Sequence, residues 1–441
     1  RDVVVERAAW RERRAPRFGV GEHVRGQHRG VFTQEPNARG RHLVESPPAA
    51  EYLREHFSRL AASHDPSRPD GYIPLCVAEN TLVHDLLSPE LGKAREIPPR
   101  VLGYDAMTGS LDFRERLAHF MGRSFLGRQV RPDQIAVLNG AGSVLELLFH
   151  VIADSGDGVL VPTPSYAGFW PDLETRDELR IVPVHSSASD GFRLSPTLLD
   201  RAVANAGCKV RALLFTSPDN PMGRVYTAGE VAAVVEWAAN AGVHLVLDEV
   251  YALSVFGSLP FTSAARLVPA LGQRLHVVWA FSKDFAASGL RAGVLVSENA
   301  AVLQAIDGLA YWACCSGHTQ FVLGQMISDD AWVDRYVTTM RARLGEAYRR
   351  VTAALTDKGV PYLPSDAGFF LLLDLRQFLS APTWEREAAL WRRLLDLANV
   401  NLTPGSACHI GEPGFMRLCF AGVPTDTAVH AVERLADVLR G

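Results

Sequence analysis

The sequence predicts an α/β protein, with a large domain on a mostly parallel sheet and a smaller α+β domain at the C-terminus. Three observations carry this. From about Pro132, short β-branched apolar runs alternate with helical stretches, as expected for parallel strands joined by crossover helices. In the last quarter of the chain the pattern changes to amphipathic helices around two short apolar runs. The composition, 47% hydrophobic and 21% charged over 441 residues, supplies the apolar material that large cores need.

In chain order, residues 1–45 are basic and Arg/Gly-rich without apolar periodicity, so they are expected to form a flexible N-terminal arm. Residues 46–95 are assigned to a segment that contributes to the small domain and the site. Residues 96–325 form the large domain. There QIAVLN, GVLVPT, RIVPVH, RALLFTS, HLVLDE, LHVVWAFS and AGVLVS read as buried strands closed by Gly, Pro, Ser or Asp. Helices are expected at Ser143–Ala153 and Thr227–Gly242, the second capped by Thr227 with Glu230 three residues later. Residues 326–441 form the small domain, where WEREAALWRRLLDLAN and DTAVHAVERLADVLRG flank the strands FFLLLDL and FMRLCFA.

Several function classes are disfavoured. A formal charge of -4 gives no electrostatic case for nucleic acid or an anionic membrane. No stretch approaches a membrane span and no apolar signal core is present, so a soluble cytoplasmic protein is expected. The six cysteines lack CxxC spacing; reduced buried thiols are expected, and no metal site.

Lys93, Lys209, Lys283 and Lys358 are the only lysines, whereas arginine is abundant. A lysine in the turn AFSKDFAASGLRAG therefore points to work a guanidinium cannot do, since an amine can lose its proton and attack a carbonyl. The strand ends supply companions. Gly140-Ala141-Gly142-Ser143 opens a helix, where N–H groups and the dipole can hold a phosphate. Tyr166 sits in PTPSYAGF and can stack on a flat ring. Asn220 precedes Pro221, Asp248 and Tyr251 close HLVLDEVY, and Arg291 follows Lys283. Taken singly, Lys283 reads equally as a solvated loop lysine, Asp248 as a helix cap, Asn220-Pro221 as a turn and Tyr166 as a core aromatic. Together they match one small molecule, pyridoxal 5'-phosphate. Lys283 would form the Schiff base and move protons at the substrate Cα. Asp248 would pair with the ring nitrogen, Asn220 and Tyr251 with the ring oxygen, and Arg291 with the phosphate.

These residues, with Asn220-Pro-x-Gly223, Asp248-x-x-Tyr251 and Ser282-Lys283 followed by Arg291, resemble the fold-type I, class I/II aminotransferase family of pyridoxal-phosphate enzymes from about Tyr72 onward. The likeness extends to its 1-aminocyclopropane-1-carboxylate synthase branch through VAENTLVHDLL, SLDFRERLAHFM, VPTPSYAGFWPDL and SACHIGEPGFMRLCFA. The resemblance implies that fold, catalytic roles for Lys283, Tyr251 and Asp248, cofactor contacts from Ser282, and Arg417 on the substrate α-carboxylate with Asn220 beside it. It also places Glu79, of the AEN segment, near the substrate, where a carboxylate suits a sulfonium; a solvated loop charge is the other reading. Two departures stand out. Ala280 replaces the serine three residues before the lysine, and Met107 replaces the tyrosine two before Gly109. Tyr104 instead has the general aminotransferase spacing for a tyrosine that crosses to a partner's phosphate, which implies a homodimer with sites at the interface.

The expected activity acts on an amino acid, with S-adenosylmethionine losing its Cγ sulfonium group. That loss leads to ring closure, γ-elimination or γ-substitution by an external nucleophile, in a bacterial specialised pathway. The alternative is an aminotransferase with a 2-oxo acid partner, and a third reading is a scaffold that kept only the fold.

Overall fold

The computed structural model describes residues 36–93 and 95–441. Most of the N-terminal arm, residues 1–35, lies outside the described residues. Its last part forms a helix, Ala38–Glu45, whose N-cap Asn37 accepts from Gly40 N–H. That helix belongs to one unit, ending at Pro47; Pro48–Gly441 forms the other, and everything below concerns the latter.

The seven apolar runs read as strands are all strands. After the short β1 (Ile73–Pro74) come β2 (Ile135–Leu138), β3 (Gly158–Thr163), β4 (Arg180–His185), β5 (Val210–Thr216), β6 (His244–Asp248), β7 (Leu275–Ala280) and β8 (Gly293–Ser297). The last seven form one sheet in the order β2-β8-β7-β6-β5-β3-β4. Only β8 runs antiparallel to its neighbours. The remaining pairs are parallel, with Thr216 opposite Asp248 and Asp248 opposite Val278.

These strands lack polar alternation because both faces are covered. Leu213, Phe215, Leu245, Leu247, Val277 and Trp279 pack into the core on one side. The intervening Leu214, Val246 and Val278 join Leu145, Leu148 and Phe149 of the helix Ala141–Ile152 on the other. The capping box predicted for the helix Ala228–Ala241 is present, with Thr227 and Glu230 satisfying each other's backbone N–H. It ends at Gly242 in the left-handed conformation, a C-terminal signal that closes the helix before β6.

Toward the C-terminus follow β9 (Tyr362–Leu363), β10 (Phe370–Asp374), β11 (Val400–Asn401), β12 (Thr403–Pro404) and β13 (Phe415–Cys419). A four-stranded antiparallel sheet has the order β12-β13-β10-β9, and β1 pairs in parallel with β11. The predicted amphipathic helices are Trp384–Arg393 and Thr425–Arg440. Their apolar faces share the core that also lines one face of the large sheet. The observed α/β architecture is thus the one expected from the sequence. No helix among the described residues is long and apolar enough to cross a membrane. All six cysteines are free thiols, but against expectation only Cys76, Cys315, Cys408 and Cys419 are buried, Cys208 being half-buried and Cys314 exposed.

Candidate active site

Because β8 alone is reversed, β2, β3, β5, β6 and β7 all end at the same edge of the sheet, where parallel α/β sheets bind ligands. A cleft of about 260 Å3 opens there. Its lining includes Ala141, Gly142, Tyr166, Asn220, Asp248, Tyr251, Ser282, Lys283 and Arg291, which brings together most of the residues singled out from sequence.

At one end β2 turns into the helix Ala141–Ile152 through Gly140, held at φ +90°, ψ +164°, a region essentially reserved for glycine. A Cβ at Gly140 would run into the Arg291 guanidinium, with Cζ only 2.8 Å away. Arg291 thus lies directly over the turn, its Nη1 donating to Ser288 O at 3.1 Å. Gly293 allows the turn to approach from below, since a Cβ there would sit 2.6 Å from Ala141 N. The first-turn N–H groups and one guanidinium therefore converge, a site suited to a phosphate. Ser143 uses its hydroxyl to bond Asn139 O at 3.2 Å.

At the other end Asp248 closes β6. It is buried, and among the described residues its carboxylate has one donor, Val250 N–H at 3.4 Å. Burial pushes its carboxyl up to about 7, against the pull of Val250 N–H and the Lys283 cation. A buried carboxylate so poorly partnered fits a cationic N–H supplied by a ligand. Tyr166 borders the same space, standing edge-on to Phe169 with centroids 5.3 Å apart. Asn220 Nδ2 donates to Tyr251 Oη at 3.4 Å, so amide and phenol act as one polar pair. Phe369 and Phe370 pack edge-on against the Tyr251 ring.

Lys283 lies between these ends, on the one-turn helix Phe281–Asp284 that follows β7. Its Nζ donates to Ala78 O at 2.7 Å. Burial and then the Arg417 charge push its amine down to about 8, although Cys419, Glu79 and Asp248 pull the other way. An appreciable fraction is therefore the free amine near neutrality, the form that attacks a carbonyl.

Arg417, on β13 opposite Leu372 and Thr403, is buried. Its donors go to Asn220 Oδ1 at 3.0 Å, Cys76 O at 2.6 Å and Thr403 Oγ1 at 3.0 Å, and its Nε has no partner. Among the described residues no carboxylate pairs with it, so a buried cation awaits an anion. Glu79 is exposed and does not line the cleft. Its Oε1 accepts from Ser288 Oγ at 3.1 Å, and Ser288 does line it, which puts the carboxylate at the rim. Tyr104 is 93% exposed and stands apart from its own chain's cleft.

Sequence reasoning missed several participants. The Ala78 carbonyl, which holds the lysine, carries no side-chain signal. Asp172, whose carboxyl burial and then Glu146 push up to about 6, also lines the cleft, but a charge in the first turn of a helix reads as ordinary. Asp284 was legible as a charge inside the apolar stretch WAFSKDF.

The donor set fits pyridoxal phosphate. A glycine turn that a Cβ would fill could take the phosphate, an under-partnered carboxylate could face the ring nitrogen, and an amine lowered to about 8 could meet the aldehyde. Comparisons with known proteins agree. The sequence model described as Aminotransferase class I and II matches residues 71–435. The 1-aminocyclopropane-1-carboxylate synthase 4 of Oryza sativa subsp. japonica is 36% identical over 412 residues, 84% of this chain and 82% of that protein. The 1-aminocyclopropane-1-carboxylate synthase 6 of Arabidopsis thaliana is 33% identical over 390 residues, 84% and 79% of the two chains. Among solved structures, Thermus thermophilus aspartate aminotransferase with maleate superposes with a TM-score of 0.77, covering 92% of this chain and all of that one. At 22% identity that likeness speaks for the fold. On the extent of the family match and the identity to these relatives, this chain belongs to the class I and II aminotransferase family and is a pyridoxal-phosphate enzyme.

Proposed function

We propose that this enzyme acts on S-adenosylmethionine and expels its Cγ sulfonium group as a neutral thioether. Either the cyclopropane named in its relatives closes, or γ-elimination or γ-substitution by an external nucleophile follows. The observation that carries this reading is the charge pattern around Lys283. Arg417 is a buried cation with no carboxylate partner among the described residues, and Glu79 stands at the rim through Ser288. An amino acid with an α-carboxylate and a cationic side chain meets a complementary charge at each end.

When bound, pyridoxal phosphate supplies an aldehyde for the amine and a ring that draws electrons from Cα. The N–H groups of residues 141–143 and Arg291 would hold the phosphate, Asp248 would keep a proton on the ring nitrogen, and Tyr166 would pack against the ring. Arg417 holds the α-carboxylate, which orients the Cα–H bond. Lys283 Nζ would take the Cα proton, and for ring closure the electron pair left on Cα would form the Cα–Cγ bond as the Cγ–S pair leaves on sulfur; γ-elimination or γ-substitution would need a Cβ proton removed as well before sulfur leaves. Glu79 favours the sulfonium in the bound substrate.

Tyr104 completes this site in a second copy, so the active unit is a homodimer. Supporting this, Tyr104 stands beside Leu102, 81% exposed, on a segment that packs through Val101 against Gly317. Trp312, 78% exposed, lies just before Gly317. Light scattering should find an active dimer; an active monomer would remove Tyr104 from the site.

An aminotransferase activity is the second reading. The Tyr104-to-Gly109 spacing favours it, as does Met107 in place of the branch's tyrosine. One experiment separates them: purified enzyme incubated with S-adenosylmethionine should release methylthioadenosine, whereas keto-acid formation from ordinary amino donors supports the transaminase.

A further inference from the structure

Asp284 follows Lys283 directly, yet it is fully buried and absent from the cleft wall that Lys283 lines. Three donors converge on its carboxylate. Oδ1 accepts from Ser254 Oγ at 2.7 Å, and Oδ2 accepts from Leu253 N–H at 3.1 Å and Trp279 Nε1–H at 2.9 Å. Leu253 and Ser254 belong to the turn that carries Tyr251, just beyond Asp248. Trp279 belongs to β7, where its indole packs against Phe120, Phe125, Phe281 and Phe285. Arg341, from the helix Asp330–Asp357, braces the same turn through Nε to Leu253 O at 2.8 Å.

The lysine turn needs outside support. The helix Phe281–Asp284 has four residues, far too few to persist alone. It is followed by Ala286 at φ +53° and Arg291 at φ +50°, non-glycine residues in a conformation that L side chains adopt at a cost. We propose that Asp284 is a positioning residue. By accepting from Leu253, Ser254 and Trp279 it locks the lysine turn to the Tyr251 turn, and so fixes the Lys283 amine relative to Tyr251 and Asp248.

The inference rests on Lys283 as the cofactor lysine, which borohydride trapping and peptide mapping of the wild-type holoenzyme check separately; label on another lysine would remove that premise. The test compares wild type, Asp284→Asn and Ser254→Ala as holoenzymes. It measures cofactor content, thermal midpoint, kcat, KM and the pH midpoint of the bound cofactor's absorbance, which reports the proton on the lysine nitrogen. Asn keeps the shape and can accept from the two N–H donors, but it loses the charge that strengthens all three bonds and turns its NH2 toward the Ser254 hydroxyl, whereas Ser254→Ala leaves the charge in place. Misplacing a reacting group by a fraction of an ångström should lower kcat by about 10- to 100-fold. KM and cofactor content should stay near wild type while the absorbance midpoint moves. Ser254→Ala, which removes one of the three bonds, should move both readouts the same way by less, and it carries the test if Asp284→Asn does not fold. Unchanged kcat and midpoint would overturn the proposal. So would a fall in kcat that only tracks lost cofactor content and thermal midpoint.

Discussion

Asp248→Asn should make the cofactor-free protein more stable and the loaded enzyme nearly inactive. Burial lifts the Asp248 carboxyl from 3.8 to about 7. At about 1.4 kcal/mol per pH unit, keeping it ionised in the fold costs on the order of 4 kcal/mol. The sign follows from proton counting. Below about pH 4 the carboxyl is protonated folded and unfolded, so the site is neutral to stability. Between about pH 4 and 7 the unfolded chain has lost the proton and the folded chain keeps it, so stability falls as pH rises. Above about pH 7 the full cost remains. Asparagine removes the charge, keeps an oxygen for Val250 N–H and still buries an amide, so a gain of about 1–3 kcal/mol near pH 8 is expected.

With cofactor bound the sign inverts, because the carboxylate now faces a ring nitrogen whose proton it holds. Turnover should fall by at least about 100-fold, the scale of a lost charge-stabilising partner. Chemical denaturation of cofactor-free wild type and variant at low and high pH, beside steady-state rates of the loaded forms, tests both halves. A cofactor-free variant no more stable than wild type at high pH would refute the burial argument. Near-native turnover would reduce Asp248 to a cap.

Lys283→Ala and Lys283→Arg should both lose covalently trapped cofactor and turnover, arginine because it stays protonated; trapped cofactor at wild-type levels in either would sink the assignment. Gly140→Ala should weaken cofactor binding by about 1–3 kcal/mol, the cost of a side chain in this region of φ and ψ with Arg291 in its path, as read from cofactor titration; wild-type affinity would take the phosphate away from this turn. Arg417→Lys should weaken every amino-acid substrate by about 1–3 kcal/mol. Glu79→Gln should weaken S-adenosylmethionine while sparing a neutral donor such as alanine, and equal effects on both would favour the transaminase.

The strands and the cleft residues beside them were legible because a parallel sheet buried on both faces needs continuous apolar runs, and a strand's end fixes where its next polar residue falls. Asp248, Lys283 and Gly140 could be placed this way. The main-chain partners could not: Ala78 O holds Lys283 and Cys76 O holds Arg417 from a segment over 200 residues away in sequence. Carbonyl positions follow from tertiary packing and carry no residue identity. Glu79 was singled out by its motif as a candidate, and its contact with the Ser288 hydroxyl joins distant loops in a way the sequence does not show. The proposal for Tyr104 rests on its spacing from Gly109, to which the structure adds that the side chain is 93% exposed.

Buried charges in this fold separate into two kinds. Asp284 collects three donors, and Asp219 collects Met222 N–H and the Tyr226 hydroxyl. These carboxylates join elements together, and their hydrogen bonds offset only part of the cost of burial, which still pushes the Asp284 carboxyl up to about 6 and that of Asp219 up to about 7. Among the described residues the Asp248 and Lys283 side chains each have a single hydrogen-bond partner, a long N–H contact and a carbonyl, while Arg417 has three acceptors but no carboxylate among them and an Nε without a partner. Each contrast has the same physical meaning: the chain has taken a charge out of water and left its partner to be supplied. Under the proposed function a ring N–H and an aldehyde of pyridoxal phosphate and the carboxylate of an amino acid would supply these partners. Binding should therefore relieve a cost built into the empty fold, so that cofactor affinity and stability rise together in every variant that keeps these charges.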